Sequence, residues 1–175
     1  FLILRHDVDR SPKNAYKMAK IESKNGIKAT YYFRTIKSKL FDIEIINKIK
    51  NLGHEIGYHY EILSSSKGDF DKALVLFRES IDRFKKIGIS VQTASFHGSP
   101  FSKYDNRDFW SKNNFKDFDL IGLAYDSIDF SDIYYITDTG RTFSQTRGNL
   151  RDKPITPYLT DSKISTTKDL INFVK

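Results

Sequence analysis

Cysteine is absent from the 175 residues. That excludes a disulfide framework, a thiolate zinc site and a cysteine nucleophile. Histidine is scarce: His6, His54, His59 and His97 are all there are. Any transition-metal site therefore has to join imidazoles from this short set to carboxylates. Long apolar runs are missing, which excludes a membrane-spanning helix of the usual length of about 20 residues. No glycine-rich loop follows the first apolar run, which argues against a dinucleotide fold or a P-loop. The serine of Ser95-Phe96-His97-Gly98-Ser99-Pro100 does not have the spacing of a G-x-S-x-G elbow. Internal repeats, linkers and low-complexity tracts are also absent.

What is present is a globular composition. Hydrophobic residues make up 39% and charged residues 29%, which excludes a disordered chain. The length suits one domain, since domains commonly run to about 100–200 residues. Lys and Arg number 29 against 22 Asp and Glu, giving a net charge of +7. The cations are spread along the chain. Their densest cluster, Arg83-Phe84-Lys85-Lys86, closes a helical pattern, where positive charge suits the helix dipole. The charge thus reads as a solvated surface, and no nucleic-acid partner is expected. Ten Tyr and 14 Phe are mostly core, with some Tyr suited to line a sugar site.

Short apolar runs alternate with longer amphipathic ones. Strands are expected at residues 1–6, 29–33, 54–59, 91–96, 120–125 and 133–137. Helices are expected from Ser11-Pro12 to about Asn25, from about Asp42 to Leu52, from about Phe70 to Ile87, around 107–112, and from Thr166 or Thr167 onward. Residues 145–158 read as irregular. This alternation implies βαβ units and a mainly parallel sheet. Polar residues gather after several strand ends, which favours an α/β barrel over a doubly wound sheet. One domain spans residues 1–175. Because it starts at Phe1 in a strand-like run and stops in a helix-like one, it reads as part of a longer chain.

Four segments carry chemistry. In Arg5-His6-Asp7-Val8-Asp9-Arg10, two carboxylates one residue apart at a strand end can divide the work, one on a divalent metal and one as a base. The bland alternative is a strand-end turn. In Gly53-His54-Glu55-Ile56-Gly57-Tyr58-His59-Tyr60-Glu61, alternation puts Glu55, Gly57, His59 and Glu61 on one face and His54, Tyr58 and Tyr60 on the other. His59 is then a natural ligand, Glu61 a further ligand or an orienting group, and His54 structural. Gly57 suggests close approach of another group. His97 at a strand end can act as acid, ligand or oxyanion donor. In Thr137-Asp138-Thr139-Gly140-Arg141, Asp138 can orient a catalytic histidine and Arg141 can bind an anion, or the stretch is a glycine turn.

Together the segments LRHDVDRSP, GIKATYYFR, GHEIGYHYE, SFHGSP and YYITDTGR resemble the polysaccharide deacetylase superfamily, of the carbohydrate esterase family 4 type. The likeness is to a bacterial branch associated with surface-polysaccharide synthesis. It implies a distorted (β/α) barrel, usually of seven strands, of which six are expected in this chain. It implies a divalent metal, most often zinc, and a carbohydrate substrate that loses an N-acetyl group by hydrolysis of a C–N bond. By resemblance Asp7 is the catalytic base, and Asp9 and His59 are metal ligands. The usual third ligand falls at Leu63, so Glu61, or else His97, has to complete the set, and Glu61 is the expectation. His97 is expected as the acid, with Asp138 catalytic beside it. His6, Tyr60, Ser99 and Arg141 are expected to bind substrate. A cytoplasmic location is the expectation. Two alternatives stand beside this reading: a sugar-binding pseudoenzyme of the same fold, and a glycosyltransferase using Asp7-Val8-Asp9 as a D-x-D motif.

Overall fold

The structure is a computed structural model and describes residues 2–98, 102–138, 143, 164 and 166–174. These fall into two compact units, Phe1–Ser127 and Ile128–Lys175.

Strands of the first unit are β1 (Arg5–Val8), β2 (Thr30–Phe33), β3 (Glu55–Tyr60), β4 (Thr93–Phe96) and β5 (Gly122–Leu123). They lie side by side in sequence order, every pair parallel. Helices α1 (Pro12–Lys24), α2 (Ile43–Asn51), α3 (Ile62–Ser65) and α4 (Phe70–Lys86) fill the crossovers. Parallel crossovers are right-handed. A sheet that always steps the same way therefore keeps all its helices on one face, whereas a doubly wound sheet needs a reversal. The barrel-like reading is met to that extent. The closed barrel is not: among the described residues the sheet has five strands and stays open. The sixth strand expected at residues 133–137 is reduced to an isolated bridge at Tyr135.

Local sequence explains the helix starts. Ser11, Asp42 and Asp69 cap α1, α2 and α4, their side chains accepting from Asn14 N, Ile45 N and Lys72 N, which satisfies amides left over in the first turn. Pro12 stands at the first position of α1, where its missing N–H costs nothing.

Register sorts the two faces of the sheet. His6, Tyr31 and Ile56 align, as do Val8, Phe33, Tyr58 and Ala94, and these side chains meet the helices. Phe77 of α4 is fully buried and packs its ring against Tyr58, Tyr60, Phe109, Trp110 and Phe118. Deleting such a side chain costs about 3–5 kcal/mol. The opposite face carries Arg5, Asp7, Thr30, Tyr32, Glu55, Gly57, His59, Thr93 and Ser95. It is a polar face held by its own network. Thr30 Oγ1 and Thr93 Oγ1 donate to the two oxygens of Glu55 at 2.5 and 2.7 Å, and Tyr32 Oη lies 2.8 Å from Thr93 Oγ1. The Tyr32 ring lies across Gly57, where a Cβ would stand 2.3 Å from Tyr32 Cε1. The group that approaches this glycine is thus a neighbouring side chain.

In the second unit, helix α5 (Thr167–Val174) begins where expected. Thr166 and Asp169 exchange hydrogen bonds at its start, and Tyr134 packs edge-on to Phe173 at 5.0 Å. The stretch expected to be irregular, 145–158, lies outside the described residues. No helix among the described residues is long and apolar enough to cross a membrane.

Candidate metal centre

Three neighbouring segments bring ligand-type atoms together at the carboxyl end of the sheet. β1 runs out at Val8 and presents Asp9 one residue later. β3 carries His59 at its penultimate position, and His97 follows the last residue of β4. Asp9 Oδ1 lies 3.3 Å from His59 Nε2 and 3.0 Å from His97 Nδ1, and the two nitrogens are 3.2 Å apart.

These spacings suit a small cation. Ligand atoms about 2.0–2.1 Å from a tetrahedral zinc stand about 3.3–3.4 Å from one another, close to all three separations. His59 is oriented for the task. It is buried, and its Nδ1 lies 3.1 Å from the Ser95 carbonyl oxygen. An N–H donated there leaves the Nε2 lone pair facing Asp9 and His97, the arrangement usual for a metal-bound imidazole. Among the described residues this is the cluster of three or more His and carboxylate groups with the geometry to hold a metal.

Electrostatics agree with the geometry. Burial opposes ionisation of Asp9. Hydrogen bonds with His59 and His97, and then their charges, outweigh it and hold the carboxyl well below its usual range. Burial likewise works to lower the pKa of His59, but Asp7 and Asp9 more than compensate and raise it. Negative charge therefore collects around this imidazole and favours a cation in the site.

Asp7 sits beside the cluster without joining it. Its Oδ2 accepts from Arg5 Nη2 at 2.9 Å. Its Oδ1 is buried with no hydrogen-bond partner among the described residues, 3.9 Å from His59 Nδ1. Asp7 and Asp9 thus flank opposite nitrogens of one imidazole and do not pair around a common ion as a D-x-D motif would.

Several sequence expectations change. Glu61 does not join the cluster, and both its oxygens are taken by Arg34, with contacts of 2.5–2.8 Å. The strand ends at Tyr60 and Glu61 becomes the cap residue of α3, so alternation stops one residue short of it. His97, expected as the acid, is the third member of the cluster. Leu63, where the resembled family has its ligand, is buried in the core. His6 faces the helices: its Nε2 is 2.7 Å from Glu22 Oε1, and its ring packs on Tyr31. Tyr60 is fully buried and accepts a hydrogen bond from Trp110 Nε1 at 2.7 Å. Neither points to the mouth, because even and odd residues of a strand face opposite ways. Asp138 is exposed and belongs to the second unit. Ser99 and Arg141 lie outside the described residues. His54 is structural as expected, with Nδ1 accepting from Ala29 N and Nε2 2.9 Å from the Ala19 carbonyl.

One residue escaped the sequence reading. Arg34 is 6% exposed, grips Glu61, and brings Nη1 within 3.8 Å of Asp9 Oδ1. A charged residue directly after the apolar run Tyr31-Tyr32-Phe33 was the available signal.

A solved structure of peptidoglycan deacetylase PdaC from Bacillus subtilis is similar in fold. The TM-score is 0.51 at 16% identity, over 71% of this chain and 57% of that one. The chain shares its fold with that deacetylase structure. A family 4 carbohydrate esterase from Streptomyces lividans, solved in complex with acetate, is also similar, with TM-score 0.45, 13% identity, and 72% and 62% of the two chains covered. The chain thus spans less than two thirds of either structure. No family model and no curated protein matches the sequence.

Proposed function

We propose that this protein is a metal-dependent hydrolase that removes acetyl groups from an N-acetylated saccharide of a surface polysaccharide or its precursor. The observation that carries the reading is the convergence of Asp9, His59 and His97 beside the unpartnered oxygen of Asp7. The fold shared with deacetylase structures supports the same chemistry.

Asp9, His59 and His97 would hold a divalent metal, zinc being the best match to one carboxylate and two imidazoles. Bound there, it supplies Lewis-acid polarisation of the acetamide carbonyl and a lowered pKa for water. Asp7 Oδ1 is free to accept a proton as water adds to the carbonyl carbon. Arg5 holds the other oxygen and fixes the carboxylate's orientation. The C–N bond then breaks, the proton returns from Asp7 to the leaving amine, and acetate and a free amino sugar result. Asp7 serves as base and then acid, since His97 is committed to the ligand set.

The test is acetate release from N-acetylated oligosaccharides by zinc-loaded protein, with Asp7→Asn and a chelator as controls. Release that survives both perturbations would remove the metal–base assignment. A protein that binds zinc and saccharide yet releases no acetate would instead be the sugar-binding pseudoenzyme, the reading that Leu63 favours.

A further inference from the structure

His97 of the cluster also lines a cleft of about 700 Å³, with Arg34, Lys37, Glu61, Lys103 and Tyr104 among its other walls. Its charges are uneven. Arg34 and Glu61 neutralise each other in a bidentate pair. Lys37 and Lys103 are exposed, and neither ammonium is within ion-pair distance of a carboxylate among the described residues. The Lys103 ammonium stands over the Tyr104 ring at 5.2 Å. That ring is firmly seated. It lies so close to the Gly68 backbone that a Cβ there would meet Tyr104 Cε1 at 2.4 Å, and Gly68 holds the left-handed φ of +85° that excludes most side chains. Ser102 Oγ accepts from Tyr104 N and donates to Tyr104 O, fixing the backbone beneath the ring. The cleft thus offers an aromatic wall, two cations without a carboxylate partner among the described residues, and His97 of the cluster within one site.

Aromatic rings present an apolar face on which a sugar can lie. Lysines beside such a ring favour a sugar that carries negative charge. We propose that Lys37 and Lys103 select an acidic saccharide, one whose N-acetylated unit bears or adjoins a carboxylate or phosphate. This rests on the saccharide reading of the site and names the class of saccharide. The shared chemistry is an anionic oxygen group, and carboxylate and phosphate are its two sources.

Binding separates this proposal from the catalytic reading. Calorimetry on the zinc-loaded protein at low salt compares chitotetraose, which is neutral, with a hyaluronan tetrasaccharide, which carries glucuronate. N-acetylglucosamine is compared with its 6-phosphate in the same way. The expected result is a preference of about tenfold for at least one acidic member over its neutral partner, shrinking as salt rises. In Lys37→Ala/Lys103→Ala that preference disappears while neutral binding stays within about twofold. The single variants lose part of it, and each variant's circular dichroism reports whether it is folded. Carboxylate preference alone identifies a uronate-type substrate, and phosphate preference alone a phosphorylated one. Equal binding of neutral and acidic ligands overturns the proposal and leaves the deacetylase reading intact. If no saccharide binds at all, both readings fall.

Discussion

His59 on β3 and His97 just past the end of β4 have Nε2 and Nδ1 3.2 Å apart, and Asp9 Oδ1 lies within 3.3 Å of both. Two imidazoles at this distance are an uncomfortable pair unless one facing nitrogen donates a proton to the other. They become a favourable one around a cation. Four predictions concern this site and the strand β3 that carries His59.

Zinc should bind at one ion per chain. His97→Ala is expected to weaken binding about 100-fold or more, because a direct ligand matters at least as much as the outer partners that orient ligands. Glu61→Gln should retain one ion per chain. Competition titration with a zinc indicator reads both. Loss of zinc in Glu61→Gln, with His97→Ala unaffected, would restore Glu61 as the third ligand.

Asp7→Asn removes the proton acceptor while keeping shape and the neighbouring ligands. Zinc affinity should stay within severalfold. Acetate release should fall by about 10²–10⁴, the usual worth of general acid–base catalysis. A parallel loss of zinc and activity would instead make Asp7 a ligand.

Gly57→Ala drives a methyl group into the Tyr32 ring, with the Thr93 carbonyl 3.1 Å away on its other side. The expected cost is about 1–3 kcal/mol of stability by urea denaturation. Adding Tyr32→Leu should recover part of it, since the ring yields and the backbone carbonyl does not. Full stability in Gly57→Ala would mean that the ring moves aside freely.

Tyr58 is fully buried, and burial pushes its hydroxyl up to about 12, partly offset by the hydrogen bond with Ser80. Folding favours the neutral phenol. Its contribution is therefore complete below the unfolded value near pH 10 and is lost as pH rises from there to about 12. Over that window stability should fall by roughly 2–3 kcal/mol more in the wild type than in Tyr58→Phe. Identical slopes for the two proteins above pH 10 would show that Tyr58 ionises without unfolding the chain.

The sequence by itself determined the order of the first five strands and two of the three groups that meet in the cluster, Asp9 and His59. Helix caps at Ser11, Asp42 and Asp69 are local, so they are readable one segment at a time. The face assignments in β3 are equally local: period-two alternation correctly separates Glu55, Gly57 and His59 from Tyr58 and Tyr60. The acidic pair at 7 and 9, with a histidine at 59, marked the right strand ends. What tertiary structure decided was which groups meet. Glu61 lies two residues from His59 in the chain, yet Arg34, 27 residues away, takes both its oxygens. His97 lies 38 residues from His59 and still joins the cluster, because β3 and β4 pair in parallel with His59 opposite Ser95. His6 looks like a site residue beside Asp7 but faces Glu22, since adjacent residues of a strand point to opposite sides. Strand ends are legible in a sequence because they follow from local periodicity. Partners across strands are not, because register and ion pairing are settled only when distant segments compete for the same atoms.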